Sequence, residues 1–317
     1  MRQERFERAH RAEWDAFEAM LAPGHGAPGA DRLPQTYRRV CRHLALARDR
    51  CYTAGLVQRL NGLVLAGHQI LYGSTLGLGP QWARFLAGGL ARSVRAQFKP
   101  VLLAALLLGL PFAALPPAIF HNPQLAYLVE EPQDLARMEA MYQPGAGRFG
   151  RANQAQADVA MFGYYIWNNI RITFQTFASG ILLGLGSVFF LLYNGLHGGA
   201  VAGHLAHAGL GAQFWPFVAT HSALELPALV LAGAVGLRLG WALLAPGRRS
   251  RVRARVEAAR EGMPLVYGAA LMDAMAACIE AFWSASALVP AALKLTVAAL
   301  LWSAMAGYFL LAGRRHV

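Results

Sequence analysis

In a chain this apolar, chemistry rests with the few side chains that ionise where water is scarce. His221 and Glu225 stand four residues apart, on one face of a helix. Asp273 and Glu280 stand seven apart, again on one face. All four lie in long apolar runs, where an ionisable group costs on the order of several kcal/mol and marks function by default. Three chemistries are open to them. A buried hydrogen-bonded network would fix helix packing. A partner-docking or transport pathway would use the same groups for recognition. A metal or catalytic centre would use His221 and Glu225 as ligands or as acid and base. Zinc needs three or four protein ligands, so His204 or His207 would have to supply the third. No Ser–His–Asp set, glycine-rich phosphate loop or HExxH motif accompanies them. No cofactor, metal or catalytic residue is therefore expected. Were the chain an enzyme, Glu225 and His221 would be its centre.

The elements that carry these residues are membrane spans. The chain has 317 residues, 56% hydrophobic and 15% charged, against about 25% charged in soluble domains. The expected fold is all-α, a polytopic helical membrane protein of about six transmembrane helices with an N-terminal cytoplasmic helical domain. The spans fall at 100–120, 172–193, 194–220, 221–244, 264–283 and 289–311. Pro111, Pro116 and Pro117 predict a kink or early end in the first. Gly180, Gly184 and Gly186 in the second would let helices approach closely. The third is weakly hydrophobic, with Gly198, Gly199, Gly203, Gly209 and Gly211; it is either a full span or two half-helices. Arg238 and Lys294, near span ends, would snorkel. In this frame His221, Glu225 and Glu280 converge near the outer leaflet with Asn168 and Asn169, and Asp273 sits deeper. Asn194 completes the intramembrane polar set.

The net charge of +12 comes from arginines that flank apolar segments, before residue 100, at 248–260 and at Arg314–Arg315. That is the positive-inside pattern, with both termini cytoplasmic. It excludes a nucleic-acid partner, for which no motif is present. Residues 121–158 are acidic and polar, with short helices expected, and form the external loop. Residues 1–79 read as a helical hairpin domain preceded by an amphipathic helix through Phe6, Trp14 and Phe17. Residues 80–99 read as a juxtamembrane amphipathic helix on anionic headgroups: Trp82 and Phe85 enter the interface and Arg84, Arg92, Arg95 and Lys99 meet the charge. Residues 100–317 form the transmembrane domain. The three cysteines lack metal-ligand spacing.

An ordered set of short stretches resembles the bacterial stage II sporulation protein M family. It runs through Leu60–Asn61 and His68, the Gly163–Ile170 segment GYYIWNNI, Phe174 to Phe177, Gly180, Gly184 and Gly186, Asn194–Gly195, the His221–Leu226 segment HSALEL, Gly236 to Gly240, Pro246–Gly247 and the Ile279–Phe282 segment IEAF. Ser222 and Ser187 replace residues more usual in the family. The resemblance implies a helical protein of the bacterial cytoplasmic membrane that, in spore formers, anchors cell-wall-degrading partners during engulfment. The expected function is a non-enzymatic scaffold or assembly factor. It would recruit cell-envelope partners, peptidoglycan-remodelling ones included, and couple to a soluble partner in the cytoplasm; a homo-oligomer is compatible with it. The alternatives are an intramembrane hydrolase or metal-dependent enzyme centred on Glu225 and His221, and a transporter with a broken helix at 194–220.

Overall fold

The computed structural model describes residues 3–21, 32–72, 78–145, 148–151 and 157–314. Their secondary structure is helical, apart from one isolated bridge between Arg148 and Ser286. Arg315 of the terminal arginine pair lies outside the described residues. The chain divides into two compact units, Met1–Ala83 and Arg84–Val317.

The first unit carries three long helices, α1 (Gln3–Leu21), α2 (Leu33–Asp49) and α3 (Ala54–Tyr72), then the short α4 (Leu78–Arg84). The expected hairpin is α2 with α3, and α1 packs against both. Helical spacing brings Phe6, Trp14 and Phe17 to one face, where they meet Val40, Leu44, Ala47, Leu56, Leu60 and Leu63 in a single core. The unit therefore has its own hydrophobic centre.

The second unit opens with a π-helical turn at Phe85–Gly89 and α5 (Leu90–Ala96), then α6 (Phe98–His121). A 3-10 turn (Pro123–Leu128) and α7 (Pro132–Met141) follow. The long helices α8 (Asp158–Ala178), α9 (Leu185–His207), α10 (Gly211–Leu244), α11 (Arg251–Cys278) and α12 (Ala291–Leu311) complete it, with α11 extended by a π-helical turn at Ile279–Ser284. Among the described residues, five helices are long and apolar enough to cross a membrane: α6, α9, α10, α11 with its extension, and α12. The sixth long helix, α8, has 21 residues but carries Asn168, Asn169 and Arg171.

This corrects the expected span boundaries. No continuous helix covers 172–193: α8 ends at Ala178, and Leu183 and Gly184 take positive φ (57° and 84°) before α9 begins. Residues 158–170, ahead of the expected span, are the first half of α8. Nor is 194–220 one continuous span; the helix breaks at Gly209, among the glycines that allowed two helical pieces to meet. It is the end of α9, a turn at Gly209 (φ 79°) and the start of α10. The prolines of α6 do not end it early; the helix runs through Pro111, Pro116 and Pro117 to His121.

Helix α10 is the hub. Its buried face builds one core with α5, α11 and α12 around Leu224, Leu231, Val235, Leu265 and Met272. A second core, around Leu108, Leu191 and Leu229, joins it to α6 and α9. Start and end of the unit meet: Arg95 of α5 donates to the carbonyls of Phe309 and Ala312, 2.7 Å each, capping α12. Leu90 and Val94, within the segment expected on the membrane surface, are buried in the bundle. Trp82 keeps 46% of its surface and Arg84, Arg92 and Lys99 are exposed.

Candidate functional site

Helix α10 begins at Gly211, so His221 stands ten residues inside it, about 15 Å along the axis, and not at a span start. One turn on, Glu225 faces the same side, with His221 Nε2 3.9 Å from its Oε2. The π-helical end of α11 brings Glu280 to them. One ligand atom from each of His221, Glu225 and Glu280 lies within 4.8 Å of the other two. The ring of His221 is fixed from behind: its Nδ1 meets Ser284 Oγ at 3.1 Å, and Phe217 packs edge-on at 5.1 Å.

Helix α8 supplies the third wall. Asn169 is buried beside Glu280. Asn168 donates to Asn169 at 3.4 Å. Deeper along α11, fully buried Asp273 faces Thr173 of α8. Asn194 is elsewhere, its amide spent on the Phe190 carbonyl of its own helix.

His204 and His207 do not join the cluster. His204 Nε2 pairs with Glu139 of α7 at 2.7 Å, and His207 packs near Phe120. With His197–Glu130 at 2.6 Å, the His204 pair fastens the 3-10 turn and α7 onto α9. The acidic segment after α6 is thus a folded cap, seated through Tyr142 on Phe214 and Phe217. The third group at the His221 site is Glu280.

Three residues were missed. Arg151 is buried to 2%, donating to Asp158 at 2.7 Å and to the Ala281 carbonyl at 3.0 Å. Arg148 makes a second bridge to Asp158 at 2.8 Å. Ser284 carries no sequence signal at all. The run of Arg148, Arg151 and Asp158 inside an acidic segment is the signal that was available for the first two. Lys294 also departs from expectation. It does not snorkel: it is 2% exposed and donates to the carbonyls of Ser284 and Ser286, 2.7 Å each, freed by the non-α end of α11. Arg238 pairs with Glu261 instead of reaching outward alone.

The first unit holds a second polar group, His10, Glu13 and His43. Trp14 Nε1–H donates to His43 Nδ1 at 3.1 Å, and the two imidazoles lie 4.0 Å apart. Burial, helped by His10, pushes His43 below the ordinary imidazole pKa.

Fold and site together define a multi-pass helical membrane protein with ionisable groups built into its interior. The chain belongs to the stage II sporulation protein M family, whose model matches residues 101–285, from α6 through the end of α11. Residues 4–73 match a family described as a domain of unknown function (DUF8413). Neither the curated proteins nor the solved structures contain a significant match to the chain.

Proposed function

We propose that the chain is a membrane scaffold of the bacterial cytoplasmic membrane, both termini inside, that presents one binding surface on each side. The observation that carries this reading is the division of labour in the chain. A helical unit with its own core precedes the membrane unit, and a cap fastened by two His–Glu pairs covers the far end of α9. Both surfaces keep large apolar side chains open: Leu65 at 56% and Ile70 at 46% in the first unit, Leu128 at 81% and Leu288 at 91% beside the cap. Such side chains are what a protein partner covers. The partners would be envelope proteins, wall-remodelling ones included, at the cap, and a soluble protein at the first unit. The resemblance of the family to wall-enzyme anchors supports the same direction.

Photo-crosslinking amino acids at Leu128 and Leu65 in living cells test it. The expected result is a discrete crosslinked protein at each position, different between the two. Crosslinks to lipid alone at Leu128, with none to protein at Leu65, would remove the scaffold.

Metal-assisted hydrolysis centred on Glu225 and His221 is a second reading, favoured by the arrival of Glu280. It requires that Glu225→Gln leave folding and assembly intact yet abolish function, since an amide is no general base. A transporter is a third reading, resting on the helix break at Gly209 within 194–220.

A further inference from the structure

We propose that His221, Glu225 and Glu280 hold one divalent transition-metal ion of the zinc class between α10 and the π-helical end of α11. Imidazole nitrogen with carboxylate oxygen is a donor set such ions take. The three donor atoms already lie within 4.8 Å of one another. The 3.9 Å between His221 Nε2 and Glu225 Oε2 is too long for a hydrogen bond. It is close to the roughly 3–3.5 Å that separates two ligands of a four-coordinate ion bonded at about 2 Å.

Charge points the same way. Two carboxylates share this small space, and among the described residues neither has an Arg or Lys ion-pair partner. The nearby cations are committed elsewhere. Lys294 serves the carbonyls of Ser284 and Ser286, and Arg151 serves Asp158 and Ala281. A dication supplies the charge that the side chains do not.

The surroundings are those of a ligand set. His221 Nδ1 pairs with Ser284 Oγ at 3.1 Å, which fixes the ring with Nε2, the nitrogen a ligating imidazole would use, toward the carboxylates. Asn169, 3% exposed, stands beside Glu280, where its amide can steady that carboxylate as an outer partner. The Glu225 side chain keeps 32% of its surface, which leaves the ion one open side.

The His10–Glu13–His43 group shows the contrast. There the Trp14 indole, which can only donate, occupies His43 Nδ1, so the proton sits on Nε2 and no lone pair remains for a metal. Arg39 Nε lies 2.7 Å from Glu13 and neutralises it. That cluster is closed by protein; the intramembrane one is not.

The site stands whether the chain is scaffold or enzyme, and its test is separate from crosslinking. The full chain, purified in detergent without chelator, is assayed for bound metal by elemental mass spectrometry. It is then stripped and titrated with Co(II), whose visible absorption reports a low-coordinate nitrogen–oxygen site. About one ion per chain is expected. Zn(II) should displace the Co(II) band, and H221A, E225Q and E280Q should lose both metal and band while D273N keeps them. A wild-type chain that carries no metal and gives no Co(II) band overturns the proposal and leaves the two carboxylates sharing a proton. Unchanged binding in all three ligand variants overturns it equally. Should a variant fail to stay monodisperse, the wild-type Co(II) titration decides alone.

Discussion

Two glycine-rich stretches of the membrane unit, close in sequence and alike in composition, do opposite work. Gly180 and Gly184 stop a helix. Gly195, Gly199 and Gly203, at four-residue steps, run along the inside of one. At the first stretch, α8 gives way to a tight turn whose backbone lies directly on α10: a Cβ on Gly180 would strike Gly236, and one on Gly240 would strike the backbone of Gly184 and Leu183. At the second, α9 stays helical and lies against α6. A Cβ on Gly195 would strike the Leu108 carbonyl, and one on Gly199 would stand 3.0 Å from the Pro111 carbonyl. Spacing alone fits helix packing in both stretches. What separates them is the partner. Gly236 and Gly240 on α10 give the first stretch a surface without side chains, on which a turn can sit. The prolines of α6 give the second a ridge for a glycine groove.

Substitutions that add a single methyl group measure this difference. Gly240→Ala places it against backbone that cannot rotate away, so the largest loss is expected, about 3 kcal/mol of stability. It is read as a fall in thermal midpoint of the detergent-solubilised chain. Gly199→Ala meets the Pro111 carbonyl at 3.0 Å and Leu115 Cβ at 3.1 Å, contacts that a few tenths of an ångström relieve. The expected cost is about 1 kcal/mol. Equal costs at the two positions would erase the distinction between turn and groove. Gly163→Ala on α8 is the calibration: its Cβ enters open space, and the helix should gain about 0.5–1 kcal/mol.

These stretches also show what could be read from sequence. Apolar runs located α6, α10, α11 and α12 because lipid demands length and composition of each helix individually. The α8–α9 boundary was misplaced. Asn168, Asn169 and Arg171 lower the hydropathy of α8, and Arg171 stacks on Trp167 at 4.6 Å, a contact invisible in a hydropathy profile. Of the site, His221 and Glu225 were legible from their four-residue spacing, and Glu280 as an acid in an apolar run. Its arrival beside them depends on the π-helical end of α11. Arg151, Ser284 and the burial of Lys294 depend on contacts across long stretches of chain, which no local pattern encodes. The third metal ligand expected at His204 or His207 is at neither, since Glu139 holds His204 and His207 packs near Phe120.

The scaffold account rests on α6 crossing the membrane, which would put the chain before it and the cap after it on opposite sides. With Cys41, Cys51 and Cys278 replaced by alanine, single cysteines at Leu128, 81% exposed, and at Leu65, 56% exposed, can be labelled with a membrane-impermeant maleimide. The account predicts labelling of Leu128→Cys in intact cells and of Leu65→Cys after lysis alone. Labelling of both from the same side would contradict it.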